Sequence, residues 1–155
     1  MINKPGNNVK ILFRFFSDIF EKETVETMWA IVIDSDNGHY KLDNIPFYVP
    51  LISFEDIVFA EYDEAEQMLT YRKTVEFSKN STIRIVIMNK PTDIESVREI
   101  FGKLGCITEK LNDSYFAMEV PEKIAYKEIR QKLEELEQEG IIGYEESCLS
   151  DHHRS

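Results

Sequence analysis

The chain has few glycines and few basic residues, and each shortage argues against a class of function. Its 155 residues include six glycines and contain no Gly-x-x-x-x-Gly-Lys, Gly-x-Gly-x-x-Gly or His-Glu-x-x-His motif. A phosphate-cradling loop is therefore hard to assemble. The 18 Lys and Arg are outnumbered by 29 Asp and Glu, which leaves a net charge of −11. Non-specific binding to nucleic acids or anionic membranes needs the opposite excess, so we expect neither as a partner.

Long apolar runs and cysteines are scarce as well. No run approaches the roughly 20 residues that a membrane helix needs, and the first ten residues hold no apolar region of the signal-peptide type. We therefore expect a cytoplasmic protein. Its two cysteines, Cys106 and Cys148, are far apart and outside any Cys-x-x-Cys motif. In a cytoplasmic chain we expect such cysteines to be reduced thiols rather than a disulfide.

The apolar fraction of 43% is enough for a folded core, in one domain or two small subdomains. In the first half, runs rich in β-branched and aromatic residues predict an antiparallel arrangement of short strands. We predict strands at residues 9–16, 27–34, 39–42, 56–62 and 68–77. Asn37-Gly38 predicts a hairpin with a type I′ turn. The many aromatic residues here, Phe59 among them, are interpreted as core, because stacking of nucleic-acid bases would need a basic groove.

In the second half the hydrophobic period alternates between two and 3.6 residues. The pattern predicts strands at 81–88, 106–111, 115–120 and 143–149 and helices at 91–105 and 126–140. Thr92 is the predicted N-cap of the first helix, with Glu95 completing a capping box. The order β-α-β-β-α-β is typical of ferredoxin-like units. In that fold the second and fourth strands occupy opposite sheet edges, so Cys106 and Cys148 would be too far apart to bridge.

The predicted fold class is therefore α+β. An N-terminal antiparallel β-module of small-barrel or SH3-like type, residues 9–80, packs on a C-terminal ferredoxin-like unit, residues 81–150. Residues 1–8 and 151–155 are predicted to be flexible tails.

Acidic residues crowd two parts of the chain. Their ordinary interpretation is a solvated face, and the more specific one is a surface that selects a basic protein partner. The candidate partner-binding residues are Glu55, Asp56, Glu61, Asp63, Glu64, Glu66, Glu134, Glu135, Glu145 and Glu146.

Metal and catalytic chemistry have thin support. The stretch from Asp34 to Gly38 resembles the start of a calcium loop, but Ile45 stands where the EF-hand needs Glu. His152 and His153 next to Cys148 are at most an adventitious zinc site. A Cys148/His nucleophile pair lacks a third orienting group. We predict no catalytic residue, no metal and no cofactor.

Several stretches along the chain resemble, as a set, the bacterial family called domain of unknown function 4265. They include "VKILFRF", "MWAI", "GHYKLDNIPFYVPLISFEDIVFAE", "VEFSKNSTIRIVI" and "LEELEQEGIIGYEESCLS". The resemblance covers about residues 9–150. Members often carry Gly-Asp-Val where this chain has Glu55-Asp56-Ile57, and Ser-Gly where it has Ser78-Lys79. We expect Asn80 to take the left-handed conformation that the missing glycine would have adopted.

The resemblance implies a small, stand-alone bacterial cytosolic protein. By analogy with acidic proteins of that size, we expect a non-enzymatic binding protein. It would be an immunity protein or antitoxin that neutralises a basic, nuclease-type toxin encoded nearby. The alternatives are a small-molecule-sensing regulatory domain, or an enzyme with a pocket around Arg84, Glu145 and Cys148. Asp43 and Asn44, with Arg84 and Cys148, are a possible pocket, although residues 43–47 also fit a structural corner in which Phe47 fills the core.

Overall fold

The protein is a mixed α+β structure in which antiparallel sheets predominate. The computed structural model describes residues 7–89 and 91–154, and within these ranges it has nine strands, two α-helices and one short 3-10 helix. The chain divides into two compact units, with the first ending at Ser78 and the second starting at Lys79. Neither α-helix among the described residues is long and apolar enough to cross a membrane.

The first unit is a closed five-stranded barrel. Its strands are β1 (Asn8–Ser17), β2 (Lys22–Asp34), β3 (His39–Leu42), β4 (Ile57–Asp63) and β5 (Met68–Glu76). Consecutive strands pair antiparallel, and β1 closes the barrel by a parallel pairing with β5 at Leu12 and Thr70. Because successive side chains of a strand point to opposite faces, alternate apolar residues fill the interior. They include Ile11, Phe13, Met28, Ala30, Tyr40, Leu42, Val58 and Ala60.

The β2–β3 connection is longer than the predicted two-residue type I′ turn. Of its central residues only Gly38 has a positive φ, +71°, and the amide of Gly38 donates to the carbonyl of Ser35 over 3.3 Å. The carboxylate of Asp34 accepts from the backbone and side-chain amides of Asn37. This side-chain bond stabilises a wider turn with negative φ at Asn37, so the type I′ prediction is wrong.

The second unit is a four-stranded sheet with two helices. Its elements are β6 (Ser81–Ile87), α1 (Ile94–Lys103), β7 (Ile107–Asn112), β8 (Tyr115–Val120), α2 (Tyr126–Gln138) and β9 (Ile142–Cys148). The strand order is β7-β8-β6-β9, with every neighbouring pair antiparallel. Both helices place apolar side chains in one core with the sheet. That core includes Ile83, Ile85, Val97, Phe101, Phe116, Met118, Ile129 and Leu133.

The N-cap of α1 is Asp93 rather than the predicted Thr92. The carboxylate of Asp93 accepts from the amide of Glu95 over 3.1 Å, and the hydroxyl of Ser96 donates to the Asp93 carbonyl. A carboxylate is a better cap than a threonine hydroxyl because its charge also complements the positive helix end.

The two ends of the described chain are more ordered than predicted. Residues 1–6 and Ser155 lie outside the described residues, but Asn8 already belongs to β1 and the carbonyl of Asn7 accepts from the amide of Val32. Residues Asp151–His153 form a 3-10 helix, and His153 is buried. The prediction of flexible tails is therefore wrong for Asn7 and Asn8 and for residues 151–153, because hydrogen bonds and burial hold these residues in place.

No disulfide joins the two cysteines. Cys106 immediately precedes β7 at one sheet edge, and Cys148 ends β9 at the opposite edge. Two strands lie between these edges, so the expected separation of the thiols is confirmed.

Candidate functional site

In the first unit, arginines pair with half of the predicted acidic residues. Arg72 pairs with Glu61 over 3.0 Å and with Asp63 over 2.9 Å. Arg14 bonds both carboxylate oxygens of Glu66, over 2.7 and 2.8 Å. These arginine bonds lower the pKa of Asp63 and of Glu66. Much of the negative charge of this β4–β5 hairpin is therefore already balanced within the barrel.

Asp56 is not part of any acidic surface, because it is only 1% exposed. Its carboxylate accepts from the backbone amides of Ser53, over 3.0 Å, and Ser78, over 2.8 Å. Burial raises the pKa of this carboxyl, and the two amide bonds oppose that shift. The prediction that Asp56 binds a partner is therefore wrong. It is a structural residue that links the two ends of the segment from residue 53 to residue 78.

In the second unit, acidic residues of α2 and β9 converge on Tyr144. The side chain of Tyr144 lies on the helix-facing side of β9, because the residue pairs with the buried Ile85. Partial burial raises the pKa of its phenol, and the negative charges of Glu134, Glu137 and Glu146 raise it further. Glu134 and Glu137 belong to α2 and Tyr144 belongs to β9, so this arrangement depends on the packing of α2 against β9. Tyr144 with Glu134, Glu137 and Glu146 is the group that we call the Tyr144 cluster.

The two members of the predicted acidic set that lie on β9, Glu145 and Glu146, have partners within the second unit. The carboxylate of Glu146 accepts from the hydroxyl of Tyr126 over 2.6 Å and from Arg130 over 3.3 Å. Glu145 lies on the other face of β9 and pairs with Arg84 over 2.7 Å. Burial and the bond to Glu146 raise the pKa of Tyr126, which keeps its hydroxyl a donor.

The remaining acids of α2 are more available. Glu135 pairs with Lys132 one turn earlier over 3.0 Å. Glu134 and Glu137 are exposed and form no ion pair with a residue that the structure describes. Glu137 was absent from the sequence-based set, although it belongs to the same acidic run. In the barrel, Glu55 and Glu64 are likewise exposed.

The four residues of the possible pocket belong to different units. Asp43 and Asn44 lie in the first, and Arg84 and Cys148 lie in the second. Within the second unit, Arg84 pairs across the sheet with Glu145, and Thr82 pairs with Cys148. Arg84 is buried and its guanidinium bonds Glu145, which is a structural ion pair across neighbouring strands.

The corner at residues 43–49 depends on a residue that sequence reasoning missed. The carboxylate of Glu26 accepts from the backbone amides of Phe47, Tyr48 and Val49, over 2.7, 2.9 and 3.0 Å. The side chain of Asn44 accepts from the amide of Trp29 over 2.6 Å. Glu26 lies in the polar half of β2, three residues after Glu23, so no signal in the sequence separated the two.

The structural interpretation of this corner needs one correction. Phe47 is half-buried, and the residues that enter the interior are Ile45 and Val49. Phe47 therefore does not fill the core as expected. Its amide is bound by Glu26, which turns the chain there.

His153 is buried, and its ring lies beside two serine hydroxyls, those of Ser81 and Ser150. The Nδ1 atom of His153 lies 2.6 Å from the hydroxyl of Ser81, and Nε2 lies 3.2 Å from the carbonyl of Pro121. Ser81 is 0% exposed, so its hydroxyl cannot meet a substrate. Burial lowers the pKa of His153, which favours a neutral ring that accepts from Ser81 and donates to Pro121. In residues 7–89 and 91–154, no three His, Cys, Asp or Glu side chains converge as metal ligands do.

Comparisons with known proteins give a family and a fold. A hypothetical protein from Neisseria gonorrhoeae, whose crystal structure is solved, superimposes with a TM-score of 0.81 at 20% identity. The match covers 96% of this chain and 99% of that one, which shows that the two share a fold. No curated protein matches the sequence. The family model described as Domain of unknown function (DUF4265) matches residues 26–144, most of the chain. This protein therefore belongs to the DUF4265 family.

Proposed function

We propose that this protein is a non-enzymatic binding protein that recognises a basic protein partner through the Tyr144 cluster. The observation that carries the proposal is the packing of α2 against β9, through which the charges of Glu134, Glu137 and Glu146 act on one half-buried tyrosine. Tyrosine and arginine are enriched in protein-binding hot spots, and Arg130, which pairs with Glu146, also lies near this ring. The charges accelerate encounter with an oppositely charged partner, and the ring contributes apolar contact area.

The proposed partner is a nuclease-type toxin encoded nearby, and the protein would be its cytoplasmic immunity protein or antitoxin. Nuclease surfaces are commonly basic because they must attract phosphate. An inhibitor that covers such a surface needs negative charge, and the net charge of −11 supports this role. The barrel supports it less, since Arg14 and Arg72 pair with three of its carboxylates.

We also propose names for the two architectures. The barrel of β1–β5 is of the small SH3-like type, which its five strands and closure support. The second unit is ferredoxin-like. Numbered within its own β-α-β-β-α-β order, its sheet reads 2-3-1-4, the order that this fold uses.

The function is tested by co-expressing the tagged protein with the products of adjacent genes and eluting captured proteins with increasing salt. We expect one basic protein to be released at a defined salt step. The double variant Glu134→Gln/Glu137→Gln should weaken its binding about tenfold, since two rim charges are removed.

The matched control is Glu55→Gln/Glu64→Gln, which changes the charge equally on the barrel. It should leave binding almost unchanged. Capture of a partner that responds equally to both double variants would show that net charge, not the Tyr144 cluster, attracts it. Capture of no adjacent gene product would contradict the immunity role.

A further inference from the structure

A small cleft lies on the outside of the barrel, next to the β2–β3 turn. Its volume is about 250 Å³, and it is lined by Asn37, His39, Phe59 and Lys73. None of the four is acidic. It lies wholly within the first unit and shares no residue with the Tyr144 cluster.

The strand pairing builds three sides of the cleft. His39 of β3 pairs with Phe59 of β4, and Phe59 pairs with Lys73 of β5. Because directly paired residues project on the same face, the three side chains form one row on the outside of the barrel. Their neighbours Tyr40, Val58 and Ala60 point inward. Phe59 is thus an outward-facing aromatic residue, and its assignment to the core is wrong.

The β2–β3 turn supplies the fourth side. The amide of Ala60 donates to the carbonyl of Gly38 over 3.0 Å, which ties the turn to β4. Gly38 lies against the ring of Phe59, and a Cβ on it would stand 2.9 Å from that ring. The absence of a side chain at Gly38 therefore lets the turn reach Phe59 and brings Asn37 to the rim. Asn37 uses its side-chain amide to hold Asp34, so its side-chain oxygen can still accept.

The four side chains offer complementary interactions. The ring of Phe59 offers a surface for stacking, and the ammonium of Lys73 offers a positive charge. Lys73 is exposed and pairs with no acid among the residues that the structure describes, although acids outnumber bases. On the same strand, Arg72 takes the nearby carboxylates of Glu61 and Asp63. The imidazole of His39 and the amide oxygen of Asn37 add hydrogen-bonding groups at the rim.

We propose that this cleft binds a small planar anion, a single aromatic or heteroaromatic ring that carries a carboxylate or a phosphate. The ring stacks on Phe59 and the anionic group pairs with Lys73, while His39 and Asn37 orient ring substituents. The volume suits one ring and its substituent, since drug-sized ligands occupy cavities of about 300 Å³ or more. The site is independent of the proposed partner surface, so either can fail without the other.

Benzoate is the first probe. Its binding to the ¹⁵N-labelled full chain is monitored by NMR titration. We expect saturable shifts of the Gly38, His39, Phe59 and Lys73 amides with a dissociation constant of about 1 mM, as befits so small a ligand. Three further probes separate the contributions. Benzamide keeps the ring without the charge, cyclohexanecarboxylate keeps the charge without the aromatic ring, and inorganic phosphate has charge alone. Each should bind at least about fivefold more weakly than benzoate, because each lacks one interaction.

Two lysine variants complete the test. Lys73→Gln should weaken the binding of benzoate about fivefold. The control Lys103→Gln makes the same change at an exposed position of α1 and should leave benzoate binding unchanged. Absence of saturable shifts at the four amides up to about 10 mM benzoate would overturn the proposal. Equal binding of benzoate and benzamide, or of benzoate to both lysine variants, would overturn the anionic part. Equal binding of benzoate and cyclohexanecarboxylate would overturn the stacking.

Discussion

The imidazole of His153 lies 2.6 Å from the hydroxyl of Ser81, across 72 positions of sequence. Ser81 begins β6, and its oxygen also accepts from the amide of Ser150 over 2.9 Å. The ring of His153 stands 5.8 Å from that of Tyr126, at the start of α2. One residue near the end of the sequence therefore connects the first strand, the second helix and the final 3-10 helix of the second unit.

This connection predicts a loss of stability in mild acid. Burial lowers the pKa of His153 in the folded state, so the unfolded state binds the proton more readily. Stability should be complete above the unfolded pKa of about 6.5 and fall as the pH drops below it. Urea unfolding between about pH 8 and pH 5 measures this dependence. His153→Asn should reduce the dependence of the unfolding free energy on pH near pH 6. His152→Asn, at the neighbouring exposed residue, should leave that dependence unchanged. If the unfolding free energy of His153→Asn depended on pH as in the unchanged protein, His153 would not be the group responsible.

Stability of the first unit should depend strongly on the carboxylate of Glu26. Glu26→Gln places an amide group against three backbone N–H donors at Phe47, Tyr48 and Val49, where two carboxylate oxygens now accept. We expect a loss of about 1–3 kcal/mol in the free energy of unfolding. Glu23→Gln, on the same strand, removes only an exposed contact to Arg14 and should cost less than about 0.5 kcal/mol. Equal losses in the two variants would contradict this role.

Lys79 should be strained where it stands. Its φ of +73° lies in the left-handed region, and Asn80 beside it has no positive φ. The expectation that Asn80 would take this conformation is therefore wrong; its side chain instead accepts from the amide of Glu122 over 2.9 Å. Lys79→Gly should raise the unfolding free energy by about 0.5–1 kcal/mol. Asn80→Gly should lower it, and thermal unfolding of the two variants compares them. Destabilisation by Lys79→Gly would show that the lysine side chain compensates for its backbone.

Gly38 and Gly102 should respond to alanine in opposite directions. A Cβ at Gly38 would meet the carbonyl oxygen of Ala60 at 2.8 Å and would also need a φ of +71°. Gly102 lies within α1, and a Cβ added to it would point into open space. We expect Gly38→Ala to cost about 1–3 kcal/mol and Gly102→Ala to gain about 1 kcal/mol in urea unfolding. Tolerance of alanine at Gly38 would mean that the turn can move away from Phe59.

The Tyr144 cluster can be tested without any partner. Glu134→Gln/Glu137→Gln removes two negative charges near the phenol, so the pKa of Tyr144 should fall. NMR titration of the ring signals of Tyr144 measures this pKa. Glu55→Gln/Glu64→Gln, which alters the barrel alone, should leave the pKa of Tyr144 where it is. If both double variants lowered it equally, the acids of α2 would not be its specific neighbours.

The type and order of the elements follow from local sequence. The sequence predicted β3 at residues 39–42 and β8 at residues 115–120 with the bounds that the structure has. The 3.6-residue period identified both helices, and glycines at 105 and 140 ended them at the expected places. These signals are local, because a strand or helix must present one apolar face to whatever core it joins.

The roles of the polar residues were decided by the tertiary structure. Acidic composition placed Asp56, Asp63 and Glu134 in one class, yet the first is buried, the second is paired with Arg72 and the third is exposed. His153 was assigned to a mobile tail although Ser81 binds it. Sequence alone determined that this is an acidic α+β protein with its strands and helices in this order. Which charges remain available to a partner was decided only by folding, because pairing and burial depend on neighbours that are distant along the chain.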